Sequence, residues 1–439
     1  MYVNVYLINS HYAGTHDEGD QGYPRAHGKT AARNAAGMNR FLARLSFRAI
    51  PGTVWILGIA TLLIETSSQI VQSLLPVFLV SVLGANMTQV GFLDGFAKAA
   101  AALGRVIFGG LSDRKWGRKP VLLLGYGLMA LGRPLFPLAQ GIGLVAAGRF
   151  CDTISRGIAF VSRDALTGDV TREHRRGKSF GLVRSLTELG AFAGPLVASG
   201  LMIAFADDYR LVFWCAVVPA FLAFACILFG VPGRRAEAVR EAPKTKSSHG
   251  VSFGTRYWIL MGIVLLIIPA RLSNSLLIVQ AKQLGLELRH IPMVTLALSL
   301  SGIFFSYPAG TFSEKFGKMR SLGVSLLIIA AGHGLLAVTQ SIPLLFTAAV
   351  LWGLHSGIVW SILPAMVIER APASEKGSAL GVYGAVVGAG VLAANVGSGA
   401  VWDAFGPEGV FIAGFWYALG VLGVLVAVAF FESGGRESP

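Results

Sequence analysis

The chain has 439 residues, of which 54% are hydrophobic and only 14% charged. A soluble chain carries about a quarter charged residues, so this composition argues against a soluble enzyme and against disorder, and for an integral membrane protein. The net charge of +14 comes from 37 basic and 23 acidic residues. On a soluble protein that would suggest nucleic acid; here the basic residues collect at the ends of apolar stretches, and no nucleic-acid partner is expected. Cys151, Cys215 and Cys226 lie inside apolar stretches without metal-ligand spacing, so neither a metal, a cofactor nor a disulfide framework is implied.

Residues 1–50 are polar and irregular and read as a cytoplasmic tail without a signal-peptide core. Met38 is a candidate natural start, which an N-terminal mass would settle. From there the chain is a series of twelve apolar stretches, at about 53–82, 88–111, 119–139, 142–166, 178–205, 210–231, 257–281, 291–312, 319–338, 342–368, 377–402 and 409–431. A helix needs about 20 residues to cross a bilayer core, and lipid offers no partner to free backbone groups, so each stretch is expected to be helical.

Charge sets the orientation. Loops after even-numbered stretches carry Arg114, Lys115, Arg118 and Lys119, then Arg163, Arg172, Arg175, Arg176 and Lys178, then Arg234, Arg235, Arg240, Lys244 and Lys246, then Lys315, Lys318 and Arg320, then Arg370 and Lys376. Loops after odd-numbered stretches carry only Arg210, Lys282 and Arg289. Positive residues stay on the cytoplasmic side, so both termini are expected in the cytoplasm and the number of crossings is even. The basic loop 232–256, with Pro232 and Pro243, joins a six-crossing bundle at 51–231 to a second at 257–431, and 432–439 form a closing tail.

The two bundles echo each other. Gly109-Gly-Leu-Ser-Asp113-Arg114-Lys-Trp-Gly117-Arg118 parallels Gly310-Thr-Phe-Ser-Glu314-Lys-Phe-Gly317-Lys318, and Gly177, Gly181 and Gly190 parallel Gly377, Gly381 and Gly390 at a lag of 200. Two parallel six-helix repeats form a transporter architecture, with a site between them near the midplane.

These residues resemble the major facilitator superfamily. Gly109 to Lys119 is similar to its G-x-L-a-D-R-x-G-R-K loop motif, with one extra residue at Lys115-Trp116. Gly181, Gly190, Gly194 and Pro195 resemble the glycine-proline motif of drug–proton exporters, although Ala198-Ser199 stand where a glycine pair is usual. Arg163-Asp164-Ala165-Leu166 and Arg175-Arg176-Gly177 look like bacterial members near the tetracycline-resistance branch; Arg149 matches a fourth-segment arginine motif only in part. The resemblance implies an all-α integral membrane protein with twelve transmembrane helices in two pseudo-symmetric six-helix bundles. It implies that Asp113 faces the positive N-terminal end of the eleventh segment near 374–377, with Glu314 making the mirror contact near 176–179. Gly109, Asp113, Arg114, Gly117, Arg118, Lys119 and Glu314 would then form a latch favouring the outward-facing state, with Arg118 pairing to Asp164 or Asp169. Pro195 removes one helical amide donor; it either sets a bend or marks close packing.

Ionisable groups at membrane depth are costly and mark function by default. The first bundle holds Glu65 within Glu65-Thr-Ser-Ser-Gln69, Asp94 and Lys98 four apart, Arg133, Arg149, Asp152 and Arg156 at helical spacing, and Arg184 and Glu188 four apart. The second holds Arg271, His333 and His355. Glu188 is the leading proton carrier, about 16 Å from the cytoplasmic end at 1.5 Å per residue. Beside Arg184 its carboxylate stays charged, and a dry site would favour the neutral form. Glu65 is the second carrier, with Asp94 and Asp152 also placed in proton coupling or in structural pairs with Lys98 and with Arg149 or Arg156. The surplus of core arginines suits a negatively charged substrate, contacted by Arg271, Arg184, Arg149, Gln69 and an aromatic wall of Trp352 and Trp360; packing is the rival role for the aromatics and for both histidines.

The sequence thus reads as a monomeric secondary transporter of the cytoplasmic (inner) membrane, whose partners are a small-molecule solute, protons and the lipid bilayer. Proton-coupled efflux by alternating access is the first reading, and import of an organic anion the second. No nucleotide-binding loop, zinc pair or Ser-His-Asp arrangement supports an enzyme.

Overall fold

The computed structural model describes residues 50–97, 100, 117–172, 176–232, 253–338, 341–372 and 375–434. The expected tail, Lys98, Gly109, Asp113, Arg114 and most of the 232–256 loop lie outside the described residues. The helices are α1 (Gly52–Ser81), α2 (from 87, described to 97), α3 (Arg118–Gly132), α4 (Ile142–Val170), α5 (Arg176–Ala204), α6 (Tyr209–Gly230), α7 (Thr255–Ala270), α8 (Asn274–Gln283), α9 (Pro292–Phe316), α10 (Lys318–Val338), α11 (Ile342–Arg370) and α12 (Lys376–Gly434).

Over the described residues, the expected stretches coincide with helix, with two local surprises. The seventh crossing is broken into α7 and α8. Pro269 denies an amide to the last turn of α7, the chain runs extended at Arg271 (φ −92°, ψ 99°), and Ser273 caps α8 by accepting from the Ser275 amide. The eleventh and twelfth crossings are joined as α12, interrupted only at Gly406 (φ 72°) before Pro407. That left-handed φ suits glycine, and proline opens the next helix without losing a useful donor.

Among the described residues, eight helical stretches are long and apolar enough to cross a membrane, one of them the double stretch Ser378–Val428. The rest of the twelve are α2, which is described only in part, α3, which is short, and α4, whose Arg149, Asp152, Arg156, Arg163, Asp164 and Asp169 lower its hydropathy. A polar helix of this kind is tolerated at membrane depth when its charged stripe turns inward.

Packing follows the duplication. α1 lies on α5 and α6, and α3 on α4 and α6; correspondingly α7 lies on α12, and α10 on α11 and α12. α5 approaches α1 so closely that a Cβ at Gly194 would sit 2.4 Å from the Gln69 Cβ, and one at Gly190 would sit 2.6 Å from the Leu62 carbonyl oxygen. The glycine-proline motif thus packs helices within one half, and α5 runs on through Pro195 as one helix.

Among the described residues, the halves meet mainly at one end. One apolar core contains Ile70 to Leu79, Ala85 to Leu93, Phe136, Val145, Ala198, Met202 and Tyr209 to Ala216 of the first half, together with the core of the second. All those first-half residues lie toward the ends of their helices away from the basic loops. At the basic-loop end the first half keeps a separate core, built from Leu57, Ala60, Ile64, Leu122, Tyr126, Ile227 and their neighbours. Among the described residues, the fused core at the end away from the basic loops and the separate one at the basic end describe two bundles leaning together at one end and apart at the other.

Candidate functional site

A polar stripe of α4 faces polar positions of α1 and Arg133, which opens the short turn Arg133–Leu135 just after α3. Arg149, Asp152 and Arg156 recur every three to four residues and so share one face of the helix; on α1, Thr61, Glu65 and Ser68 do the same. Asp152 is 3% exposed and Arg133 1% exposed, and their side chains pair at 2.6 Å. Arg133 also donates to the Ser68 hydroxyl. Arg156 reaches Asp152 at 3.4 Å and Glu65 at 2.8 Å, so it bridges α4 to α1. Gln69 donates to the other Glu65 oxygen at 3.1 Å. Buried charges persist only when paired; each charge of this cluster is paired, while Arg133 Nε and Arg156 Nη2 stay buried without a hydrogen-bond partner.

A second limb starts at Arg149, which pairs with Asp94 of α2 at 2.6 Å. The other oxygen of Asp94 accepts from the Ser273 hydroxyl at 3.1 Å and from the Ser275 hydroxyl. These serines sit where the seventh crossing breaks, so Asp94 joins the first half to the second. Neighbouring Arg271 donates to the Asn274 side-chain oxygen at 3.0 Å, its Nε is buried without a partner, and it makes no ion pair with any described residue. The network therefore sets three arginines against three carboxylates, and Arg271 adds one uncompensated positive charge.

Some sequence expectations are corrected here and others are matched. Asp152 pairs with Arg133 and Arg156, not with Arg149, because Arg149 is drawn to Asp94 on α2. Glu65, which has no basic neighbour on its own helix, takes one from α4. Trp352 and Trp360 do not share a surface: Trp352 is fully buried against His333, whereas Trp360 is 42% exposed. Eight residues at about 100° each leave them about 80° apart round the helix. Arg184 and Glu188 do pair, but away from the network, with Arg184 largely exposed. Arg118 reaches Asp169 at 3.0 Å, while Asp164 pairs with Arg163 at 2.7 Å. Glu314 is exposed.

The second half answers this network with neutral chemistry. His333 shares a hydrogen bond of 3.0 Å with the Ala270 carbonyl, covering an acceptor at the α7 break, and His355 contacts the Ser325 carbonyl at 2.8 Å. Both rings are buried.

A family model described as Major Facilitator Superfamily matches residues 57–269 and again 259–439. The chain belongs to the Major Facilitator Superfamily. An uncharacterized MFS-type transporter of Methanocaldococcus jannaschii is 23% identical over 84% of this chain and 92% of its own length. The inner membrane transport protein YajR of Escherichia coli is 24% identical, over 84% of this chain and 82% of its own. The multidrug resistance protein MdtH of Yersinia enterocolitica is also 24% identical, over 84% and 91%. Among solved structures, a POT family transporter superposes with a TM-score of 0.70 at 12% identity, covering 88% of this chain and 99% of that one. The nucleoside transporter NupG gives 0.69 at 13%, covering 85% and 99%. This superfamily member is a multi-pass membrane transporter with the all-helical fold of its relatives, and not an enzyme.

Proposed function

We propose that the protein is a proton-coupled exporter of a small organic anion in the cytoplasmic membrane, working by alternating access with both termini in the cytoplasm. The observation that carries the reading is the asymmetry of closure: among the described residues, the halves 51–231 and 257–431 share one core at the end away from the basic loops, and at the basic end the first half keeps a core of its own. With basic loops inside, this is an inward-facing state, and rocking about the central network would give the outward-facing one. The cytoplasmic latch of Asp113 and Glu314 would form in that second state.

Arg271, the uncompensated charge, supports an anionic substrate, with Arg149 and Gln69 at the rim of the same network. A potential negative inside drives both anion exit and proton entry, at about 2.3 kcal/mol per charge per 100 mV, so anion–proton exchange is driven doubly. Glu188 is the leading proton carrier: it pairs with Arg184 inside α5 and is partly exposed toward the open basic end, from which a proton would leave inward. Glu65, Asp94 and Asp152 carry the coupling inward through arginines whose pairs a proton would break.

The test is flux in proteoliposomes under an imposed pH gradient, screening organic anions and comparing wild type with Glu188→Gln and Arg271→Gln. Gradient-driven exit lost in the first variant, and raised KM in the second, are the expected results. Gradient-driven uptake instead of exit would replace export by the import reading. Flux that responds to membrane potential but not to pH would remove proton coupling.

A further inference from the structure

The charge-poor end is closed by contacts between crossings that are far apart in sequence. On one seam, α2 meets the eleventh crossing, the part of α12 before Gly406. The two come close enough that a Cβ at Gly399 would lie 2.3 Å from the Met87 carbonyl oxygen, and one at Gly91 would lie 2.0 Å from the Asn395 carbonyl oxygen. The first turn of α2 satisfies its amides from two sources. Asn86 and Gln89 form a reciprocal capping box, the Gln89 amide donating to Asn86 at 2.8 Å and the Asn86 amide to Gln89 at 3.1 Å. The Met87 and Thr88 amides instead donate to the two carboxylate oxygens of Asp403, each at 2.8 Å, and the Thr88 hydroxyl donates to Asp403 at 2.6 Å.

An Asp is a good cap because its carboxylate meets both free amides and the positive end of the helix dipole. Here the cap comes from the other half of the molecule, so it can hold only while the two halves touch. The opposite seam carries a matching device. Ser199, 200 residues before Gly399, donates to the Arg289 carbonyl, and Asp207 pairs with the Arg289 side chain at 3.7 Å. On each seam a carboxylate just past the small-residue contact on the fifth or eleventh crossing engages the start of the eighth or second.

We propose that Asp403 is a positioning residue of the transport cycle: an interdomain cap on α2 that holds the outer end shut and favours the inward-facing state. The second and eleventh crossings run antiparallel, so the amino-terminal end of α2 meets the carboxyl-terminal end of the eleventh crossing here. Asp403 caps the second crossing from outside, while Asp113 is proposed to cap the eleventh from inside. Rocking exchanges one cap for the other. Only the exchange rests on the proposed cytoplasmic latch; the outer cap stands on its own contacts.

The experiment measures the width of the outer mouth by pulsed electron resonance between spin labels at Leu138 and Val338, both exposed at the charge-poor end. The protein is reconstituted full length, with Cys151, Cys215 and Cys226 replaced by alanine. Asp403→Ala is expected to raise the ratio of wide to narrow distances at least five-fold, Asp403→Asn by less, and Asp403→Glu is expected to restore the narrow population. Asp113→Asn is expected to lower the ratio. An unchanged distribution in both Asp403→Ala and Asp403→Asn overturns the proposal, as does a lowered unfolding temperature with no change in the ratio. Should Asp403→Ala fail to fold, Asp403→Asn and its rescue by glutamate decide. A shift with Asp403→Ala but none with Asp113→Asn upholds the outer cap and removes the inner latch.

Discussion

The two halves of the chain hold the same scaffold and different chemistry. Gly117 and Gly317, 200 residues apart, both take left-handed φ (77° and 90°) just before α3 and α10. Arg118 pairs with Asp169, and Lys318 pairs with Glu369 at the corresponding positions. Inside the bundles the correspondence changes character. Arg133 and Asp152 form a buried ion pair, and the residues 200 further on, His333 and Trp352, form an edge-to-face ring contact at 5.1 Å. The comparison teaches that duplication retained the surface contacts that set helix register and freed the interior for two tasks. One half keeps ion pairs, the other packs buried rings round a broken helix and Arg271, which makes no ion pair with any described residue.

The largest effect that would break this comparison lies at the buried pair. Asp152→Leu strands Arg133 in a dry interior, a loss of about 3–5 kcal/mol, whereas adding Arg133→Met should recover most of it; thermal unfolding in detergent measures both. If the double variant stays folded but loses gradient-driven flux, the pair belongs to coupling rather than to stability. Trp352→Ala should cost about 3–5 kcal/mol through lost core packing while the pH profile of residual transport stays that of wild type. A shifted profile would contradict the division of labour. Smaller in stability but not in function, Arg271→Gln should raise KM for an anionic solute about ten-fold or more, with little change in unfolding temperature. The smallest effects belong to the matched surface pairs: Arg118→Ala and Lys318→Ala should each cost at most about 1 kcal/mol, the range of exposed ion pairs.

The sequence reveals most of the fold because membrane crossing depends on local properties: apolar length, the side on which basic residues gather, and the 200-residue echo of glycines and loop charges. The site is less legible. Arg149, Asp152 and Arg156 announce themselves by spacing on one helix, but their partners are decided by which helices pack together. Arg149 therefore finds Asp94 on α2 and Arg156 finds Glu65 on α1, across 55 and 91 residues. The break in the seventh crossing has a signal in Pro269 followed by the polar run Arg271 to Ser275, which continuous hydropathy conceals. Trp352 and Trp360 mislead because eight residues do not close a whole number of turns. Asp403 gives no signal of its own, since a cap supplied from more than 300 residues away is visible only once the halves are docked.

In the proposed cycle, the basic end opens and closes under control of the first half. Gly181 and Gly381, repeat mates in the fifth and eleventh crossings, are well placed to report it, because an added Cβ at either meets nothing within 4 Å. Spin labels at these two positions, read at pH 8 and at pH 5 in lipid, should show a wide population and a narrow one. Acid should shift the balance toward the narrow population in wild type, and Glu188→Gln should abolish most of that shift. A single distance, the same at both pH values and in the variant, would contradict the account.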